Sequence, residues 1–379
     1  MNWKMIRELF RQIHLWIGLI GGVFIFIISL SGAILVYEDE ILHVLNSKVF
    51  SIEPKEISQY DYEDLMNEVS NTSGKQVVGF KVGASKDEPW EYFVREKGKK
   101  GRPETVYINP YTQQILGNNK ELTGREFIFS VFKLHRWFLM DMKVGRPIVG
   151  FFTLVFVFSI FTGLVIWFPK KVKNYKQGLK VKWKANWKRV NHDFHNAFGL
   201  YSTIFLLILA LTGLCWSFEW YKDGLSNLIG AKVFDRSEKE IRIPNDWQEE
   251  NKPTNEVLTF VQNELSTYGA LRYKLPDSKS KILEVNAYKK GFMAISIPDT
   301  YYYEYTSGKF IESRLFKDLA FNQKIAKSIH DLHMGYLFGQ TNKFLFFLSA
   351  IIAALLPITG YLIWWNKRKK KPKKKVINY

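Results

Sequence analysis

Residues 14–37 read HLWIGLIGGVFIFIISLSGAILVY. From Leu15 to Tyr37 there is no charged side chain, and at about 1.5 Å per residue such a run crosses a hydrocarbon layer of about 30 Å. Three more windows behave alike: Ile148–Phe168, Phe198–Phe218 and Phe344–Trp365. The chain has 379 residues, 47% of them hydrophobic, and these are bunched rather than spread. A soluble globular enzyme is therefore excluded, and a membrane α-helical protein with four transmembrane helices is expected. The basic segment Met1–Arg11 ahead of Leu15–Tyr37 imitates a secretory signal, but the apolar run is too long and no small-residue cleavage site follows. It is expected to stay as an anchor.

The formal charge of +18 suggests a nucleic-acid binder until its location is considered. Residues 1–13, 169–192 and 366–379 together carry 20 basic residues and one acid, against 34 basic and 35 acidic residues in the rest. Basic residues confined to short flanks orient a chain with those flanks inside, and they also attract anionic lipid headgroups. The reading is a multi-pass protein of the bacterial inner membrane with both termini cytoplasmic and no nucleic-acid partner. The single cysteine, Cys215, lies in the third span, so the outer segments fold without a disulfide.

The chain also repeats itself. At an offset of 181, His14, Gly18, Leu30, Gly32 and Glu38 fall on His195, Gly199, Leu211, Gly213 and Glu219. At an offset of 197, Thr162-Gly163 and Ile166-Trp167 fall on Thr359-Gly360 and Ile363-Trp364. Each half is thus span, outer domain, span, and because both start inside, the two repeats are parallel. The expected divisions are a first span at 1–41, an outer domain at 42–121, an interfacial helix at 122–146 and a second span at 147–168. A basic loop at 169–191 leads to a third span at 192–222, an outer domain at 223–320, an interfacial helix at 321–340, a fourth span at 341–365 and a basic tail at 366–379.

The outer segments read as two small α+β domains. Helices are expected over Ser58–Val69 and Asn255–Thr267. Strands are expected over Gln76–Val82, Trp90–Arg95, Thr105–Ile108 and Gln114–Leu116, then over Leu271–Leu275, Ile282–Ala287, Phe292–Ile297, Tyr302–Tyr305 and Lys309–Glu312. The aromatic-rich pieces Glu126–Met140 and Phe321–Leu337 are expected to lie on the outer membrane surface.

Six of the seven histidines sit at span boundaries: His14 and the pair His192/His195 inside, His135 and the pair His330/His333 outside. Neutral imidazoles presented at one depth by related helices can grip an iron from both sides. His14 with His195, and His135 with His333, meet that condition, so a haem iron at each pair is the expected occupant, against the alternative that boundary histidines serve as interfacial anchors or snorkelling side chains. One member of each close pair would ligate while His192 or His330 contacts a propionate or relays a proton, or the roles are exchanged. With no Cys-x-x-Cys-His, the haem is b-type.

A macrocycle needs small residues beside its ligand. From His14 the residues at +4, +7 and +8 are Gly18, Gly21 and Gly22; from His195 they are Gly199, Ser202 and Thr203. Ordinary helix packing uses the same residues. Arg136, next to His135, suits a propionate or an anionic substrate, and equally a lipid headgroup. Glu38 and Glu219 end the first and third spans at one depth, as water-facing caps or a cation site.

The chain resembles the PepSY-associated transmembrane family and, within it, the haem-containing integral-membrane siderophore (ferric) reductases. The likeness rests on Ile13-His14-Leu15-Trp16-Ile17-Gly18, on Ser31-Gly32 and Thr212-Gly213, on Val106-Tyr107-Ile108-Asn109-Pro110-Tyr111-Thr112, and on Leu134-His135-Arg136-Trp137. The second outer segment departs from it, with Tyr305-Thr306-Ser307-Gly308 lacking the Asn-Pro. The resemblance implies PepSY-like periplasmic domains and electron flow through two b haems to a ferric siderophore or another periplasmic Fe(III) substrate. Reduction to Fe(II) weakens hard oxygen ligation and frees the metal.

No dinucleotide-binding motif is present, so the electron donor is a separate reductase, a soluble reductant or a quinol. Two rival readings are a haem-free membrane protein that regulates or binds a periplasmic partner, and a small transporter, which four helices would serve best as a homodimer.

Overall fold

The computed structural model of the chain describes residues 3–56, 59–168, 175–235, 241–244, 247, 250–277 and 280–368. The basic tail beyond Arg368, part of the 169–191 loop, and Ser58 at the start of the first expected helix lie outside the described residues. The first half of the chain begins with α1 (Trp3–Val36), α2 (Glu38–Leu45), α3 (Ser47–Phe50) and α4 (Tyr62–Ser73). It continues through β1 (Gln76–Val82), β2 (Trp90–Arg95), β3 (Glu104–Ile108), β4 (Ile115–Asn118), α5 (Arg125–Trp137) and α6 (Met142–Trp167). The short α7 (Tyr175–Gly178) leads to α8 (Trp187–Ser217), α9 (Glu219–Ile229) and α10 (Thr254–Glu264). Then follow β5 (Leu271–Lys274), β6 (Ile282–Ala287), β7 (Asp299–Glu304), β8 (Phe310–Arg314), α11 (Phe321–Met334) and α12 (Gly339–Arg368).

Among the described residues, α1, α6, α8 and α12 are the four helices long and apolar enough to cross a membrane. Each runs past its apolar window at one or both ends. They pack as a ring in which α1 and α8 each lie along both α6 and α12 but make no extended contact with one another. Gly22 permits one of these close crossings, since a Cβ there would stand 3.1 Å from the Cβ of Pro357. The two diagonal helices, α1 and α8, therefore face each other across space.

The expected pair of separate outer domains is corrected. All eight strands form one antiparallel sheet in the order β4-β3-β2-β1-β5-β6-β7-β8, so the halves join edge to edge at β1 and β5. Gly79 makes the seam: a Cβ there would lie 2.4 Å from the carbonyl oxygen of Tyr273, and β1 carries an irregularity between Val77 and Gly79. Across the seam Phe80 stacks on Tyr273 with ring centroids 4.4 Å apart. α4 and α10 contribute Leu65, Val69, Leu258 and Val261 to a single core with Tyr92, Leu283 and Tyr303. Joining the sheets removes two open edges at once.

One expected strand is absent. Phe292–Ile297 is a loop, begun by Gly291 at φ +127° and ended by Pro298, and it docks on the turn between α11 and α12. Ser296 N–H donates to the Leu337 carbonyl at 3.1 Å, and Gln340 N–H to that of Phe292 at 3.1 Å. The aromatic pieces before re-entry do more than lie on a surface. α5 packs Ile128 and Val131 against Leu35 of α1 and Leu42 of α2, and α11 packs Ala326 and Ile329 against Cys215 of α8. Both therefore point their last turns into the helix ring.

Candidate functional site

Two histidine pairs meet on the axis of the ring. On the side of the chain ends, His14 of α1 and His195 of α8 have ring centroids 6.3 Å apart. On the side of the sheet, His135 of α5 and His333 of α11 have centroids 6.2 Å apart. The Ile28 carbonyl that accepts from His135 lies about 21 Å along α1 from His14 at the helical rise. Position 14 meets position 195, while Gly32 and Gly213 both lie at the second pair, so α1 and α8 run in the same direction.

All four rings are held in one way. His14 Nδ1 is 3.1 Å from the Ser159 carbonyl and 2.9 Å from Thr162 Oγ1; His135 Nδ1 is 2.9 Å from the Ile28 carbonyl and 3.3 Å from Ser31 Oγ. His333 Nδ1 is 3.0 Å from both the Leu209 carbonyl and Thr212 Oγ1. His195 Nδ1 is 2.8 Å from Thr359 Oγ1. Each hydroxyl spends its own proton on a carbonyl three or four residues earlier in its helix, so its oxygen can only accept from the imidazole. Nδ1 is thus the protonated nitrogen in all four rings. Nε2 is left with a bare lone pair, the state in which imidazole binds a metal.

The residue after each hydroxyl is glycine, and it receives the ring. A Cβ at Gly32 or Gly213 would stand 2.9 Å from Cε1 of His135 or His333, and one at Gly163 or Gly360 would stand 3.3 Å from Cε1 of His14 or His195. Four Ser/Thr-Gly pairs therefore serve four histidines. The repeat of these dipeptides is visible in the sequence; their service to the rings is not, because every bond joins residues more than 100 positions apart.

Each pair opens on a cavity, about 470 Å³ at His14/His195 and about 570 Å³ at His135/His333, within the usual range for bound organic groups. Ile25, Phe156 and Leu206 line both, so one apolar layer separates them. Gly18 and Gly199 line the first as expected: nothing lies within 4 Å of a Cβ built at Gly18, and at Gly199 only Leu356 does. Gly21 and Ser202 instead serve packing, the first against Val155 and the second buried with its hydroxyl on the Phe198 carbonyl.

His192 and His330 line the cavities but face no second imidazole. His192 is exposed beside Asn196, and His330 bonds Asp331 Oδ1 at 2.7 Å. His43 stacks on Phe50. Arg11, Lys367 and Arg368 line the first cavity; Arg102, Arg136 and Glu38 line the second. Burial, with Asp39 adding to it, raises the Glu38 pKa. The side chain of Glu219, its sequence counterpart, is 92% exposed and stands 3.9 Å from Lys222. The two carboxylates do not play equivalent parts.

Two trans imidazoles on one metal, with bonds of about 2 Å and about 1.1 Å from nitrogen to ring centre, have centroids about 6 Å apart, the spacing of both pairs. Among the described residues no group of three or more His, Cys, Asp or Glu side chains converges. Two imidazoles alone do not complete a metal site, whereas a porphyrin supplies the remaining four donors. Residues and cavities fit haem b.

No curated protein matches the chain. The model of the PepSY-associated TM region matches residues 11–367, and with nearly its whole length covered the chain belongs to that family.

Proposed function

We propose that this protein is a haem-b oxidoreductase that carries electrons across the bacterial inner membrane and reduces a ferric siderophore or another periplasmic Fe(III) substrate. The observation that carries the reading is the pair of facing imidazoles, found twice along one axis, with every Nδ1–H donated and every Nε2 free. His14 and His195 would hold one haem, and His135 and His333 the other. When bound, each haem supplies reversible one-electron chemistry at low-spin iron.

The chain's own groups do the rest. Ser31, Thr162, Thr212 and Thr359 fix ring orientation and tautomer and make Nε2 more basic. Ile25, Phe156 and Leu206 keep water out of the junction between the cavities. Arg11, Lys367 and Arg368 put positive charge beside the first pair, where a propionate or an anionic donor is favoured. In this reading the termini are cytoplasmic, the sheet is periplasmic, and the chain is two parallel repeats, each contributing half of a PepSY-like domain. Electrons enter from a separate donor on the terminal side.

Purified protein from a haem-replete host should be red. Its dithionite-reduced spectrum should be that of low-spin bis-histidine haem, with two haems per chain, and a ferric chelate should reoxidise it. A colourless preparation that binds no added haemin returns the reading to a haem-free regulator or a transporter.

A further inference from the structure

We propose that Arg136 and Arg146 form a carboxylate-binding site at the wall of the sheet-side cavity. Both guanidinium groups have a buried Nε without a hydrogen-bond partner. Among the described residues neither has a carboxylate at ion-pair distance. Arg136 lines the cavity beside His135, its guanidinium carbon 5.6 and 5.9 Å from the ring centroids of Phe132 and Trp137. These rings fix the fork in place. Burial and the nearby charge of Arg146 lower the Arg136 pKa. Gly145 brings the two segments together, since a Cβ there would lie 2.1 Å from the carbonyl oxygen of Trp137.

The repeat shows what is missing. Arg146 corresponds to Lys343 at the offset of 197. Lys343 is buried and donates to both oxygens of Glu40, at 2.6 and 2.7 Å. At the offset of 181, Glu40 corresponds to Tyr221. In one half the cation therefore has an internal counter-ion, and in the other that carboxylate is replaced by a phenol. The cavity's own acid, Glu38, answers instead to Arg125, Arg102 and Lys343. A poorly solvated charge without a partner is costly, and the planar fork of Arg136 on the cavity wall, with Arg146 beside it, matches the two oxygens of a carboxylate. The carboxylate can belong to a porphyrin or to a soluble polycarboxylate iron chelate. Only the first source rests on the proposed haem function.

The test uses the full chain from haem-depleted and haem-replete hosts, with citrate and ferric citrate as probes in titration calorimetry. Haem-free protein should bind citrate, with Kd raised at least about tenfold in R136Q and in R146Q and less in R136K, which keeps the charge but loses the fork. Loss of citrate binding on haem loading assigns the site to a propionate; retention, with competition by ferric citrate, assigns it to a soluble chelate. Either supports the site. Unchanged citrate affinity and unchanged haem retention in R136Q and R146Q would overturn it, as would absence of citrate binding to haem-free wild type together with unchanged haem retention in both variants. Because citrate is read without haem, failure of the haem function leaves this outcome legible.

Discussion

The two histidine pairs share one clamp but build it from opposite parts. On the terminal side the diagonal helices α1 and α8 supply His14 and His195, and their neighbours α6 and α12 supply the Ser/Thr-Gly acceptors. On the sheet side α1 and α8 supply the acceptors, and the short helices α5 and α11 bring His135 and His333 to them. The first pair is set by the packing of four long helices alone. The second depends also on the α5–α6 and α11–α12 corners and on the sheet above. The same local device thus yields one site fixed by the ring and one that inherits its geometry from the extramembrane fold, so equivalent substitutions should act unequally.

Under the proposed function the largest effect comes from the four facing histidines. H14A or H195A should remove one haem per chain and leave the other, and H135A or H333A should do the reverse, with transmembrane reduction of a ferric chelate falling more than about 100-fold in all four, beyond the loss expected when only a clamp is damaged. H192A and H330A should keep both haems. Haem quantification after purification decides it: loss of haem in H192A with retention in H195A would break the assignment of the terminal-side pair.

How much of this was written in the sequence differs between the regions too. The four spans were legible because a charge in hydrocarbon is costly and its absence over about 20 residues is conspicuous. His14 with His195, and His135 with His333, were legible because the repeat places them in register. β1, β2 and β6 kept their expected bounds, alternation being a local property. The joining of β1 to β5 was not legible, since strand edges meet by tertiary packing and a single glycine, Gly79, decides the approach. Phe292–Ile297 has the composition of a strand, but its carbonyls and amides go to the α11–α12 turn. Glycine spacing along one helix does not show which ring from another helix a glycine meets. Gly18 and Gly199 do border a cavity, while the glycines that touch the rings are those after Ser31, Thr162, Thr212 and Thr359.

Those glycines give the next test of inequality. Alanine at Gly32 or Gly213 puts a methyl 2.9 Å from an imidazole carbon, against 3.3 Å at Gly163 or Gly360. The closer approach forces a ring shift of the kind that costs about 1–3 kcal/mol in a packed interior, hence about 10- to 100-fold in haem affinity. At Gly163 and Gly360 a movement of a few tenths of an ångström suffices, and the loss should be smaller. Haem transfer to apomyoglobin measures both. Equal losses at the two levels would mean that the sheet-side corners yield as readily as the ring.

The smallest effects separate clamps within this scheme by how closely the hydroxyl approaches the ring. His195 Nδ1–H has Thr359 Oγ1 at 2.8 Å and the Leu356 carbonyl, whereas His135 Nδ1–H has the Ile28 carbonyl at 2.9 Å and Ser31 Oγ more distant at 3.3 Å. T359V should therefore weaken its haem by up to about 10-fold, the low end of the range for lost outer partners because the Leu356 carbonyl remains, and S31A should cost only a small part of that. The sign of the potential follows from the chemistry. A donated Nδ1–H makes Nε2 more basic and favours Fe(III), so removing the acceptor should raise the midpoint potential of the affected haem, clearly in T359V and slightly in S31A. Spectroelectrochemical titration resolves the two haems. If S31A moved its haem as far as T359V moves the other, the carbonyl of Ile28 would be a spectator and the hydroxyl alone would hold the sheet-side ring.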